Sequence, residues 1–155
     1  QVLSRRADFP GPQAQHDPVI LARRAAGCQY VEESMRVIIT GSRDWQDRQA
    51  IDDALRDVGA TLVAHGDAKG ADWIANEVAH SLNLDVVRFP ANWNKYGKSA
   101  GPRRNRLMFD MVKPDLVLAF PLKESVGTWD MADYAESKGC QVVVDDRYIK
   151  VTKFK

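Results

Sequence analysis

The sequence predicts an α/β protein: a Rossmann-like, doubly wound sheet of five parallel strands in the order 3-2-1-4-5, with helices on both faces. Three observations carry this expectation. Strand-like apolar runs alternate with stretches whose apolar residues recur every three or four positions. Two of the runs, Val37-Ile38-Ile39 and Leu116-Val117-Leu118, are apolar throughout, as strands covered on both faces must be. The first run ends abruptly at Gly41-Ser42-Arg43-Asp44, so a buried strand delivers polar groups to its C-terminal end. That is where open α/β sheets hold ligands.

In chain order, the strands are expected at Arg36–Thr40, Thr61–Ala64, Leu84–Phe89, Leu116–Phe120 and Gln141–Val144. The first intervening helix places Ile51, Ala54, Leu55 and Val58 on one face, and the second Ala71, Ile74, Ala75, Val78 and Leu82. The third carries Leu107, Met108, Met111 and Val112 and stops at Pro114; the fourth carries Met131, Ala132 and Ala135 and is capped by Gly139. With this order the switch point lies between the first and fourth strands, where the loops Gly41–Trp45 and Pro121–Thr128 meet. The tail Arg147–Lys155 is basic and β-prone, and is expected either to add an edge strand or to fray.

Residues 1–34 stand apart. Pro10, Gly11, Pro12 and Pro18 interrupt them, and Ile20–Ala26 offers at most a short helix, so they read as a loosely ordered extension. Met35 directly precedes the first strand, where a natural start is expected; the extension then comes from an upstream start or a cloning addition, with a functional arm as the alternative. Residues 35–155 are expected to form one domain.

Bulk properties narrow the function classes. The apolar fraction is 45%, the charged fraction 28% and the net charge +1, so any attraction for phosphate must be local. Cys28 and Cys140 have neither metal-type nor disulfide-type spacing, which fits a reducing cytoplasm. No apolar run reaches the length of a membrane helix, and no signal-peptide core is present, so no membrane partner is expected. There is no Cys/His metal cluster, no nucleophile elbow and no Walker lysine, so neither a metallohydrolase nor an ATPase is supported, and no cofactor is expected.

Four strand-to-helix loops are polar and rich in glycine. In the first, Gly41 lets a ligand approach the backbone, Ser42 and Arg43 can donate to an anion, and the following helix points its N-terminus there; the structural alternative is a tight turn with Asp44 or Asp47 as N-cap. The second, His65-Gly66-Asp67-Ala68-Lys69-Gly70-Ala71-Asp72, has two glycines four apart at a helix start, suited to wrapping a phosphate or ribose. Asp72 either caps the helix or accepts from a ribose hydroxyl, and His65 reads as a packed or surface histidine. The third, Trp93 to Asn105, holds Lys95, Lys98, Arg103 and Arg104 with two aromatics among them. It suits phosphate binding with Trp93 or Tyr96 stacking on a base, although only inward-facing arginines can take part. In the fourth, Gly127-Thr128 opens the last helix, and Thr128 is an N-cap, a ligand contact or both.

Taken together, Gly41-Ser42-Arg43, Gly66…Gly70-Ala71-Asp72, Trp93…Gly97-Lys98…Gly101-Pro102-Arg103-Arg104-Asn105 and Gly127-Thr128 resemble the YspA-like members of the SLOG superfamily over about Met35 to Asp145. The superfamily includes the LOG cytokinin-activating phosphoribohydrolases, the DNA-processing protein DprA and sensors of NAD-derived nucleotides. Its YspA-like members are common in phages and bacterial conflict systems, which implies a phage or bacterial setting. In LOG enzymes an Arg-Lys pair precedes a methionine on the third helix; Arg104-Asn105 followed by Met108 takes that place, which makes Arg104 the foremost site residue. The LOG Pro-Gly-Gly-x-Gly-Thr-x-x-Glu motif keeps Pro121, Gly127 and Thr128 but loses its paired glycines, and its glutamate becomes Met131. Asp130 is one residue away on a different helix face.

The resemblance therefore implies a nucleotide-binding module for a phosphorylated nucleoside or an ADP-ribose-type, NAD-derived nucleotide. Its expected ligand residues are Gly41, Ser42, Arg43, Gly66, Gly70, Ala71, Asp72, Trp93, Lys98, Gly101, Arg104, Asn105, Gly127 and Thr128. The alternatives are an N-glycosidic hydrolase using Arg104 with Asp72 or Asp130, followed by Glu124, and a single-stranded DNA binder as DprA implies, a use that the near-zero net charge opposes. Relatives that are often oligomeric imply a homo-oligomer, with Trp73 or Trp129 as interface candidates.

Overall fold

The computed structural model describes residues 34–149. The expectations for residues 1–33 and for the end of the tail lie outside the described residues. Five strands form one sheet: β1 (Arg36–Gly41), β2 (Leu62–His65), β3 (Asp85–Arg88), β4 (Leu116–Phe120) and β5 (Gln141–Val144). Their order is β3-β2-β1-β4-β5, and every pairing is parallel, as in the register Ile38↔Ala64 and Ile38↔Val117. The helices are α1 (Arg48–Val58), α2 (Ala71–Ser81), α3 (Trp93–Tyr96), α4 (Ala100–Val112) and α5 (Val126–Ser137), with a 3₁₀ turn at Gly97–Ser99 joining α3 to α4. The expected fold class and strand order are those observed.

Two apolar layers flank the sheet, because alternate strand residues point to opposite faces. Val37 and Ile39 meet α1 and α2 through Ile51, Leu55, Ala75 and Val78. Ile38, Val117 and Ala119 meet α4 and α5 through Met108, Val112, Met131 and Ala135. All four apolar positions expected for α1 are buried. On α4 the period is only half right. Met108 and Val112 are buried, while Leu107 and Met111 face solvent, because a single sheet face covers only a narrow stripe of this helix. Trp129 packs half-buried against the second layer, whereas Trp73 is exposed.

Local chemistry sets the ends. Asp47, not Asp44, is the N-cap of α1, its Oδ1 accepting from Ala50 N at 3.0 Å. α3 lies where sequence reading saw only a loop; Asn92 caps it by accepting from Lys95 N at 3.1 Å. The start of the tail, Arg147 to Ile149, adds no strand. Tyr148 packs edge-on against Trp45 and donates to Asp47. Among the described residues, no helix is long and apolar enough to cross a membrane.

Candidate functional site

Parallel strands joined by right-handed crossovers place every strand-to-helix loop at one edge of the sheet. At that edge, loops from β1, β2, β3 and β4 enclose a cavity of about 460 Å³. The wall includes Gly41, Ser42, Arg43, Asp44, Gly66, Asp72, Trp93, Lys98, Gly101, Arg104, Asn105, Glu124, Gly127, Thr128 and Asp130. Twelve of the fourteen expected ligand residues are therefore gathered on one surface.

Gly70 and Ala71 are not part of that wall. They sit beneath it and brace the first loop: Ala71 is fully buried, and its N–H donates to the Ser42 carbonyl at 3.1 Å. Gly70 has φ 73, and a Cβ there would overlap the Ser42 and Arg43 backbone, so glycine is required for packing as well as for conformation. The N-terminus of α1 also differs from expectation. Trp45 to Asp47 intervene after the β1 loop, and Asp47 already accepts from the first turn, so α1 presents no free anion site. Ser42 Oγ accepts from Asp44 N at 3.0 Å and shapes the loop.

Arg104 is the pivot of the floor. Its Nη1 donates to the Gly66 carbonyl and to the Phe89 carbonyl (3.1 Å), and its Nε donates to Asn105 Oδ1 at 3.0 Å. The guanidinium thus ties the ends of β2 and β3 to α4, and its Nη2 donates to no group among the described residues. Arg103, the next residue, points out and lies 4.5 Å from the Tyr96 ring centroid. Burial pulls the Arg104 pKa down from its ordinary value while the nearby Asp72 opposes that shift; the group stays charged. A Cβ on Gly66 would overlap the Arg104 guanidinium. Gly66→Ala is accordingly expected to dislodge Arg104 and lower stability by about 1–3 kcal/mol, measurable by chemical denaturation against wild type.

Asn105 is buried and makes three hydrogen bonds. Its Nδ2 donates to the Gly127 carbonyl at 3.3 Å and to Asp130 Oδ2 at 3.0 Å, while its Oδ1 receives Arg104. It positions Arg104 and α5, an arrangement in which both hydrogens of its amide are used and only Oδ1 keeps a lone pair. Asp130 is further held by Arg106 at 3.7 Å. Met131, which the resemblance sets against the LOG glutamate, lies in the core.

The second loop is ordered by two polar side chains. His65 is completely buried. Its Nδ1 accepts from Asp67 N at 3.0 Å, which leaves Nε2 as the donor to Asn76 Oδ1 at 2.9 Å; burial lowers its pKa and keeps it neutral. Asp72 does not cap its own helix. Its Oδ2 accepts from Gly66 N (3.1 Å) and Ala68 N (3.3 Å). Desolvation drives the Asp72 pKa up to about 7, against the lowering effects of those amides and of Arg104.

Among the described residues, two buried side-chain oxygens have no hydrogen-bond partner, Asp72 Oδ1 and Thr128 Oγ1. Both residues belong to the cavity wall, and they are only 6% and 2% exposed. Thr128 lies in the first turn of α5, whose N-cap, Ser125, makes no side-chain cap bond. Ser125 Oγ instead accepts from Leu122 N at 3.1 Å, so the free amides of the α5 N-terminus remain at the cavity. Sequence reading missed Ser125, because its bond depends on how the loop folds back.

At the rim, Trp93 is 47% exposed, with the Arg43 guanidinium 5.5 Å from its ring centroid. A Cβ on Gly101 would lie 3.3 Å from the Trp93 ring, so this glycine seats the indole. The wall carries three cations (Arg43, Lys98, Arg104) and four carboxyl groups (Asp44, Asp72, Glu124, Asp130), so the cavity is not strongly basic. Among the described residues there is no cluster of metal-ligating side chains. Cys140 lies away from the cavity, with burial pushing its thiol up to about 11.

The five-stranded parallel sheet with helices on both faces belongs to the Rossmann-like, doubly wound class, with a cavity at its switch point. Residues 35–96 match the YspA, cpYpsA-related SLOG family (YAcAr). Gene 61 protein of Mycobacterium phage D29 is 40% identical over 120 residues, covering 70% of this chain and 94% of that protein. The chain belongs to the YspA, cpYpsA-related SLOG family. Among solved structures, DNA processing protein A (DprA) from Streptococcus pneumoniae aligns with a TM-score of 0.44 at 14% identity, over 79% of this chain and 62% of that one. The chain thus spans less than two thirds of that protein's length.

Proposed function

We propose that this domain binds a phosphorylated nucleoside, or a nucleotide of the ADP-ribose type, and acts by sensing or sequestering it. The observation that carries the reading is the pair of buried, unpartnered oxygens on Asp72 and Thr128 in the wall of one cavity. A buried polar atom without a partner costs about 1–3 kcal/mol, a cost that a bound ligand removes. The ligand that satisfies both carries a donor for Asp72 and an anionic group for Thr128 and the α5 amides. Arg43 and Lys98 add exposed positive charge, and Trp93 offers a face to a base. A wall of three cations and four carboxyl groups suits one small, mixed-polarity ligand better than a polyanionic strand.

Calorimetry of the full chain with AMP and ADP-ribose tests the proposal. At least one is expected to bind with Kd below about 100 μM. Absence of binding by both at about millimolar concentration overturns it.

A second reading, cleavage of an N-glycosidic bond, is favoured by one feature: Asp72 is a buried carboxyl group with a pKa near neutrality beside Arg104. Release of free adenine from AMP, absent in Asp72→Asn, would establish it. Asp130 is the weaker candidate, since Asn105 and Arg106 already hold its carboxylate.

A further inference from the structure

We infer that Asp72 reads a sugar hydroxyl, so that the site selects ribonucleotides over their deoxy counterparts. The inference rests on the nucleotide reading above and adds to it the orientation and class of the ligand.

Strand order supplies the argument. Across the cavity edge the sheet runs β3-β2-β1-β4. The loop after β3 contributes Trp93, the loop after β2 contributes Asp72, the loop after β1 contributes Ser42 and Arg43, and the segment after β4 contributes Thr128 at the N-terminus of α5. The aromatic face and the Arg43 guanidinium stand together at the rim, 5.5 Å apart, while Asp72 and Thr128 are buried parts of the same wall. A nucleotide can meet such a wall with its base on the ring, its sugar at the Asp72 acceptor and its phosphate at the cationic and amide donors.

Asp72 supplies the acceptor. Its Oδ2 is held by the amides of Gly66 and Ala68, and Oδ1 is the oxygen left over. In its ionised form, held by working at pH 8, the carboxylate oxygen can only accept, so the ligand atom that meets it must carry a hydrogen. A sugar hydroxyl provides that hydrogen at the centre of the molecule, and a deoxy position provides none. Where a site is built around such a bond, the analogue lacking the hydroxyl leaves a buried acceptor unpaired and is rejected.

The test compares AMP, 2′-deoxy-AMP, 3′-deoxy-AMP and IMP by calorimetry at pH 8, where Asp72 is ionised, on the full chain and on Asp72→Asn. In wild type, AMP is expected to bind at least about 10-fold more tightly than one of the two deoxy analogues, and within about threefold of IMP. In Asp72→Asn the amide oxygen takes the Gly66 and Ala68 N–H groups, the acceptor facing the ligand is lost, and the sugar preference shrinks to about threefold or less. Equal binding of AMP and both deoxy analogues by wild type overturns the inference while leaving the nucleotide reading intact. Discrimination against IMP without discrimination on the sugar also overturns it, because Asp72 would then be reading the base amine. Failure of all four to bind removes this inference, and failure of ADP-ribose as well removes the reading beneath it.

Discussion

Replacing Arg104 with alanine is expected to lower AMP or ADP-ribose affinity at least about 100-fold and to destabilise the fold by about 2–4 kcal/mol. The size of the effect follows from three bonds made by one group. The guanidinium joins the Gly66 and Phe89 carbonyls and Asn105 Oδ1, so its loss leaves acceptors at the ends of two adjacent strands unsatisfied. It also strips Asp72 of a positive charge that favours its ionised form. Without that clamp, the loops carrying Gly66 and Trp93 are no longer tied to α4, and the wall of the cavity loses its spacing. Arg104→Lys restores the charge but not the fork, because one ammonium cannot reach two carbonyls and an amide in the same geometry. It is expected to recover part of the stability and little of the affinity. Arg103→Ala is the control: its side chain contacts Ser99 and the exposed Tyr96 ring, so both readouts should stay near wild type. Chemical denaturation and calorimetry on the three variants decide the matter. An Arg104→Ala protein that binds as wild type does would exclude the guanidinium from the site.

Asp72→Asn is expected to do the opposite to stability while still impairing binding. The carboxyl pKa stands at about 7 in the folded protein, against 3.8 for an unperturbed group. Over the interval between those values the unfolded chain has released a proton that the folded chain retains. Folding stability from this group is therefore fully present below about pH 4, declines as pH rises, and is lost above about pH 7. Asparagine keeps an oxygen for the Gly66 and Ala68 amides and carries no charge to desolvate. At pH 8 the variant should be more stable than wild type by about 2 kcal/mol, and its stability should vary less between pH 4 and 7. A variant no more stable than wild type at pH 8, with an unchanged pH profile, would mean that the buried carboxylate is already compensated. Gain of stability on removing a wall residue, coupled to loss of ligand, is the behaviour expected of a strained binding group.

Much of the molecule was legible before any coordinates. The alternation of apolar runs and helical periods led to five parallel strands in the observed order, because few unknotted right-handed arrangements exist for such a pattern. The gathering of four loops followed from the same rule. Less legible was the phase of α4. Leu107, Met108, Met111 and Val112 satisfy a helical period equally well, yet only Met108 and Val112 meet the sheet. The same ambiguity hid which of Arg103 and Arg104 faces the cavity, since neighbours on a helix point about 100° apart. Gly70 and Ala71 looked like ligand residues because a glycine-bearing helix start serves packing and ligand binding with the same composition. Asn105 was legible as a site residue, but its role was not. Its three bonds reach Arg104 beside it and Gly127 and Asp130 on another helix.

The amino-acid sequence by itself determined the order of elements, the sheet they form and the edge to which the polar loops are delivered. These depend on patterns a few residues long and on chain connectivity, both of which are written locally. Only the tertiary structure decided which polar groups are used up and which are left over. Arg104 meets Gly66 across 38 positions in the chain, and that contact, together with the two amides on Asp72 Oδ2, isolates Oδ1 as a buried acceptor with nothing to accept. A hydrogen-bond vacancy is the difference between what a group can bond and what its neighbours provide, and those neighbours are chosen by packing rather than by proximity in sequence.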